Sequence, residues 1–269
     1  MLLKWAGGKS WLVKNHSEIF YNDEVLEFKN YIEPFLGGGA VFKFLKPNNN
    51  SILADINDNL ICFYICLKEK PIELYHLTMS HIKMHSDSYY YDIRAKHSLK
   101  DDLEQAARFL YLNRTCYNGI YRVNRRGEFN VPIGSSKEFN VTKDEFIKYS
   151  NLLKNSRILK QDFRKTINCA KERDFIYVDP PYITKSNESS FDMYSKNQFD
   201  WNAQIELSKI LKTKNKIGSH IVISNIFDED IIKLFPERDG WNHTPLNRAN
   251  VMPYNAMGKE YKEIIIKNY

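Results

Sequence analysis

Tyr31-Ile32-Glu33-Pro34-Phe35-Leu36-Gly37-Gly38-Gly39-Ala40-Val41-Phe42, followed by Ser51-Ile52-Leu53-Ala54-Asp55, reads as an apolar strand, a three-glycine turn, a helix and a second strand ending on a carboxylate. That alternation is the α/β signature. Without side chains, Gly37, Gly38 and Gly39 let the backbone wrap closely around a ligand beneath a helix N-terminus. A glycine triplet alone is as well explained by a plain turn. Asp55 adds the second half of the signal: it lies 18 residues beyond Gly37, where a strand-end carboxylate can accept hydrogen bonds from two ribose hydroxyls. The pair points to a nucleoside. A dinucleotide fingerprint would want glycine at Phe42, so a pyrophosphate cofactor is not indicated.

Working outward, the most specific segment is Phe175-Ile176-Tyr177-Val178-Asp179-Pro180-Pro181-Tyr182. Ligands of open α/β sheets bind at the carboxyl ends of strands, so the tetrapeptide after this apolar run sits where chemistry is expected. Two prolines fix φ and donate no N–H, which leaves carbonyls aimed outward from a rigid loop. Asp179 adds an acceptor and Tyr182 an aromatic plate. Further strands are expected at Ile158-Leu159, at 221–224 and at 263–266, with a helix over 202–211. Between these α/β halves, residues 71–111 carry helical spacing, as in Leu103, Ala106, Ala107, Leu110 and Tyr111. Residues 119–134 alternate around Asn124-Arg125-Arg126-Gly127 and read as a β-hairpin with a basic tip. The expected organisation is one α/β core, residues 1–67 and 150–269, interrupted by a mostly helical insert at 68–149 that bears the hairpin.

Composition narrows the class. The 269 residues are 43% hydrophobic and 27% charged, ordinary values for a chain that buries a core. No stretch approaches the roughly 18 apolar residues of a spanning helix, and the start lacks a secretory pattern, so no membrane is expected and the cytoplasm is the expected compartment. Cys62, Cys66, Cys116 and Cys169 form no CxxC pair and read as reduced thiols. The net charge is +6, and residues 113–134 alone hold Arg114, Arg122, Arg125 and Arg126 against Glu128, a local +3. That concentration suits a polyanionic partner. Lys4-Trp5-Ala6-Gly7-Gly8-Lys9-Ser10 resembles a phosphate loop only superficially, because Leu3 stands where its first glycine belongs. His81 and His85 lack the glutamate and third ligand of a zinc site; they are expected at the surface, and no metal is expected. The stretch 183–200, with Phe191, Tyr194 and Phe199, reads equally as a lid and as a connection.

Together these segments resemble the Dam family of adenine-specific DNA methyltransferases (D12 class, alpha group). The resemblance rests on seven collinear blocks: residues 4–9, 33–42, 55–61, 113–134, 161–163, 179–182 and Ser224-Asn225. It implies a Rossmann-like S-adenosylmethionine-dependent methyltransferase core with a target-recognition insert. By that resemblance, S-adenosylmethionine is held by Trp5, Ala6, Lys9, Phe35, Gly37, Gly39, Asp55, Asp162, Phe163 and Asp179, and leaves as S-adenosylhomocysteine. Asp179, Pro180, Pro181 and Tyr182 form the pocket for an adenine flipped out of the duplex. Lys4, Arg114, Tyr117, Asn118, Ile120, Arg122, Arg125, Arg126 and Pro132 are implied to meet DNA, with Tyr117 and Asn118 filling the vacated space, Arg122 reading guanine, and Ile120 and Pro132 touching a thymine methyl. By the same analogy the site is GATC, read by a monomer on double-stranded DNA. A solitary regulator, the protecting partner of a restriction endonuclease and a phage enzyme all share this pattern. Two rival readings stay open: methylation of RNA or a protein amide, and a DNA-binding module without catalysis.

Overall fold

The computed structural model describes residues 2–21, 27–97, 99–135, 139–185, 199–247 and 262–269. Its strands are β1 (Tyr31–Glu33), β2 (Ser51–Asp55), β3 (Ser156–Lys160), β4 (Phe175–Val178), β5 (His220–Ile226), β6 (Asn242–Asn247) and β7 (Lys262–Lys267). Among the described residues the helices are α1 (Ser10–Asn15), α2 (Ala40–Leu45), α3 (Asp58–Glu69), α4 (Pro71–Lys83), α5 (Asp87–Ala95), α6 (Asp102–Thr115), α7 (Lys143–Leu153), α8 (Phe163–Asn168), α9 (Trp201–Lys216) and α10 (Glu229–Leu234). The strands form one seven-stranded sheet in the order β3-β2-β1-β4-β5-β7-β6. The mixed α/β class read from the sequence is the one observed.

By compactness the chain divides into two units, Met1–Ser17 with Leu36–Gln161, and Glu18–Phe35 with Asp162–Tyr269. In the first unit β2 pairs in parallel with β3, aligning Asp55 with Lys160. Helix starts here are set by side chains that accept the otherwise unpaired N–H groups of a first turn. Asn57 caps α3, Asp101 caps α6, and Thr142 forms a reciprocal capping box with Glu145 at α7. The residues expected to be helical at 71–111 are the three helices α4, α5 and α6. A buried Arg108 on α6 donates from Nε to the Ile93 carbonyl at 2.9 Å and from Nη2 to the Arg94 carbonyl at 2.9 Å. A cation on the closing carbonyls of α5 both satisfies them and opposes the negative end of the helix dipole. Tyr90, Ile93, Tyr111 and Leu112 form one buried cluster with Cys116, Phe129 and Val131, and Ile120, Tyr121 and Ile133 pack against it.

In the second unit β1, β4 and β5 run parallel, Tyr31 beside Phe175 and Val178 beside Ile223. β7 then enters antiparallel between β5 and β6, with Ser224 opposite Ile265 and Thr244 opposite Ile265 on the other side. This central position accounts for the continuously apolar Ile264-Ile265-Ile266, all fully buried. α9 is longer at both ends than the 202–211 expected, because Asp200 caps it from outside and Leu207, Leu211 and the stem of Lys214 continue its buried stripe.

The hairpin expected over 119–134 is present in irregular form: Cys116 bridges Ile133 and Val123 bridges Phe129, both antiparallel, Asn124 N–H donates to the Glu128 carbonyl at 2.9 Å and Asn130 N–H to the Arg122 carbonyl at 3.2 Å, and Gly127 N–H closes the turn on the Asn124 carbonyl at 2.9 Å. Side chains add to this pairing, since the Asn124 carboxamide accepts from Arg126 and Glu128 N–H and the Arg122 guanidinium bonds both Asn130 Oδ1 and its carbonyl. His81 and His85 are half-buried rather than at the surface, because their Nδ1 atoms bond the hydroxyls of Tyr89 at 2.7 Å and Tyr111 at 2.8 Å. Among the described residues no cluster of metal-ligating side chains occurs, and no helix is long and apolar enough to cross a membrane. None of the four cysteines is in a disulfide. Phe191, Tyr194 and most of the 183–200 stretch lie outside the described residues.

Candidate active site

In the first unit the glycine turn is held from three sides. Gly37 and Gly39 adopt φ of +46° and +62°, the left-handed region in which a side chain is strained. The Gly37 N–H donates to Asp55 Oδ2 at 3.0 Å, and Asn57 N–H donates to Asp55 Oδ1 at 3.0 Å, so the carboxylate at the end of β2 is fixed in direction. The Tyr64 hydroxyl donates to the Gly37 carbonyl at 3.0 Å and that of Tyr149 to the Gly39 carbonyl at 3.4 Å. Removal from water raises the Asp55 pKa above the ordinary carboxylate value, even though N–H groups of Gly37, Asn57 and Ile56 pull the other way. A Cβ at Gly37 would lie 2.9 Å from Cδ1 and Nε1 of Trp5, so the indole closes directly on this turn. Ahead of α1, the buried Lys9 donates from Nζ to the Gly7 carbonyl at 2.8 Å, while Ala6 is exposed.

Residues 113–134, which the resemblance implies meet DNA, belong to the same unit. Lys4 N–H donates to Asn113 Oδ1 at 2.9 Å and the Asn113 carboxamide donates back to the Lys4 carbonyl at 2.6 Å. Tyr117, 53% exposed, and Asn118 form a single turn in which Asn118 takes φ of +53°. The turn is closed by Tyr117 N–H on the Pro132 carbonyl at 2.9 Å. Arg122, Arg125, Arg126 and Pro132 are exposed, Ile120 is half-buried, and the half-buried Arg114 guanidinium lies 5.7 Å over the Phe139 ring.

The second unit carries the other named residues. Phe35 stacks on Phe163 at 5.4 Å and 24°, and Phe199 stands edge-on to Phe35 at 5.6 Å. Asp162 caps α8 through Arg164 N–H and is paired with the Arg164 guanidinium at 2.9 Å, which in turn lies 4.5 Å over the Phe163 ring. At the end of β4, Pro180 is buried, Pro181 exposed and Asp179 half-exposed. The Tyr182 hydroxyl donates to Glu263 Oε2 at 2.8 Å, and the Tyr177 hydroxyl pairs with Ser224 Oγ at 2.9 Å. Burial first, then the negative charges of Asp179 and Glu263, hold the Tyr182 phenol far above its ordinary pKa, so it remains a neutral donor.

Glu263 escaped the reading of the sequence, as did Tyr64, Tyr149, Tyr121 and Asn113 as anchors. A carboxylate heading the apolar run 264–266 was the available signal, because a buried strand acid requires a partner.

Residues 5–245 match the D12 class N6 adenine-specific DNA methyltransferases. The chain belongs to this family. It is 34% identical over 288 residues to a type II methyltransferase, M.MjaIII, of Methanocaldococcus jannaschii, covering 99% of this chain and 98% of the relative. It is 32% identical to the Lactococcus lactis type II methyltransferase M1.LlaDCHI, over 99% of this chain and 94% of that one. A DNA adenine methylase of Vibrio cholerae is 34% identical across 83% of this chain and 80% of its own length. The protein is therefore an adenine-specific DNA methyltransferase, as the seven motif blocks implied, and its substrate is DNA. Its relatives include both type II methyltransferases and DNA adenine methylases.

Proposed function

We propose that this enzyme transfers the methyl of S-adenosylmethionine to N6 of an adenine flipped out of duplex DNA, within GATC. The observation that carries the reading is the rigid Asp179-Pro180-Pro181-Tyr182 segment at the carboxyl end of β4, with the Tyr182 ring fixed by Glu263. Two features support the cofactor. The positive-φ Gly37 and Gly39 keep the turn bare of side chains where Trp5 closes on it, and the Asp55 carboxylate beside it is oriented by two backbone N–H groups. S-adenosylmethionine, when bound, supplies a methyl group activated by its sulfonium. Asp55 suits ribose hydroxyls, while Trp5, Ala6, Lys9, Gly37, Gly39, Phe35, Asp162 and Phe163 complete the holding set.

The chain's own task is to make a poor nucleophile attack. The exocyclic amine of adenine delocalises its lone pair into the ring, and within a duplex it is paired and unreachable. Asp179 and the Pro180 carbonyl accept from the two N6 hydrogens and draw the nitrogen toward tetrahedral geometry, which frees the lone pair. Tyr182 stacks on the extruded ring, a contact worth about 1–3 kcal/mol. Orientation of the two reactants supplies much of the rate.

The test is methylation of unmodified plasmid followed by nucleoside mass spectrometry and mapping of the modified sites. N6-methyladenine confined to GATC is expected. N6-methyladenine at another motif would discard the hairpin assignments, and none at all would discard the reading. In the same assay, Arg122→Ala is expected to relax discrimination at the guanine by roughly 10- to 100-fold, the 1–3 kcal/mol of one bidentate base contact. Uniform loss at all sequences would instead make Arg122 a phosphate contact.

A pH dependence follows from Asp55. The ribose is accepted only by the ionised carboxylate, whose pKa is raised. Calorimetric affinity for S-adenosylhomocysteine is therefore expected to fall with decreasing pH, beginning above the range of an exposed aspartate. Asp55→Asn is expected to bind weakly and without that dependence; a wild-type profile flat down to the ordinary carboxylate range would exclude the role.

A further inference from the structure

Tyr121 stands between two residues assigned to DNA, Ile120 and Arg122, yet its side chain turns the other way. Arg122 is exposed, whereas Tyr121 is half-buried and stacks on Trp5, with ring centroids 5.7 Å apart and planes inclined by 24°. Phe109 of α6 supports both rings, 6.3 Å from Trp5 and 5.5 Å from Tyr121. The Tyr121 hydroxyl accepts from Asn59 Nδ2 at 2.9 Å, and Asn59 is itself held by Gln105. Asn59 lies in the first turn of α3, the helix that Asn57 caps and that also carries Tyr64 to the Gly37 carbonyl. Trp5 thus has the glycine turn on one side, 2.9 Å from a Cβ at Gly37, and the recognition segment's tyrosine on another. A second tie runs in parallel, since Asn113 bonds the backbone of Lys4 and the carbonyl of Gly119.

We infer that Tyr121 is a positioning residue that couples DNA engagement at the recognition segment to the cofactor site through the Trp5 stack. When bases and phosphates fix residues 120–126, the Tyr121 ring is fixed with them and Trp5 is held against the Gly37 turn. Ordering required to bind the cofactor has then already been met, and the same gain must appear in reverse when the cofactor binds first. The stacked plane carries the coupling and the hydroxyl only aims it. This inference rests on the proposed role of Trp5 and Gly37 in holding S-adenosylmethionine.

The test is the ratio of S-adenosylhomocysteine dissociation constants without and with a saturating duplex containing GATC, measured by calorimetry. Wild type is expected to bind at least about fivefold tighter on DNA, the lower end of ordinary coupling between sites. Tyr121→Phe, which keeps the plane, is expected to retain that ratio, and Tyr121→Leu to bring it below about twofold. Tyr121→Met, an unbranched filler of the same space, is the second variant if leucine disturbs folding, and the same collapse is expected. A ring that served only as packing would weaken stability without moving this ratio. An unchanged ratio in the leucine or methionine variant, or a wild-type ratio of one, overturns the coupling. A wild-type protein that takes up no S-adenosylhomocysteine in either state overturns the cofactor reading beneath it.

Discussion

Asp179→Ala is expected to lower the single-turnover rate of methyl transfer by roughly 10³-fold, the upper range for removing one preorganised hydrogen-bonding group from an active site. The loss should fall on chemistry, because no neighbour can replace the acceptor. In the proposed geometry the Pro180 carbonyl already takes the other N6 hydrogen in a loop whose φ the prolines fix, and the Tyr182 hydroxyl is already committed to Glu263. The phenols of Tyr177 and Tyr182 both feel the charges of Asp179 and Glu263, and Tyr177 feels Glu33 besides. Because those phenols stay neutral, the melting temperature of the variant is the readout that separates a loss of chemistry from a loss of fold. Rapid-quench incorporation of labelled methyl, read beside a thermal melt, separates the two effects. Wild-type turnover in the variant would remove Asp179 from the chemistry and leave the segment a structural turn.

What the sequence disclosed follows a physical division between local and distant causes. β4 was legible because Phe175–Val178 is an unbroken apolar run closed by a proline pair, and α9 because its apolar stripe has helical spacing. The glycine turn was legible because only glycine sits easily at the φ values found at Gly37 and Gly39. Features made by partners far along the chain were hidden. The insertion of β7 between β5 and β6 brings Ile265 between Ser224 and Thr244, and nothing near Ile265 announces those neighbours. The His81 bond to Tyr89 and the His85 bond to Tyr111 likewise depend on how α4 packs against other helices. The hairpin over 119–134 was legible because its alternation flanks Asn124-Arg125-Arg126-Gly127, and Val123 and Phe129 do pair antiparallel across that turn, with side chains of Asn124 and Arg122 adding bonds the spacing does not disclose. Glu263 was hidden by distance, a strand acid whose partner, Tyr182, lies 81 residues away.

The second large effect is expected from Gly37→Ala. At φ of +46° an alanine costs about 1–2 kcal/mol in backbone strain, and for a chain of this size each kcal/mol lowers the melting temperature by about 2–4 °C. Strain alone would end there. The added methyl also meets Cδ1 and Nε1 of Trp5 at 2.9 Å, and that ring cannot simply swing aside because Tyr121 and Phe109 pack against it. The turn must move instead, taking with it the Gly37 N–H that aims Asp55 and the carbonyl that Tyr64 holds. Displacing the indole and misdirecting the carboxylate together should weaken S-adenosylhomocysteine binding about 100-fold, equivalent to some 2.8 kcal/mol. Gly127→Ala provides the control, since Gly127 has φ of +79° with nothing within 4 Å. It bears the same kind of backbone strain in open space and should leave DNA-free cofactor affinity unchanged. Equal affinities in the two variants would mean that the Gly37 turn does not touch the cofactor, and the assignments of Trp5 and Asp55, which depend on it, would fall together.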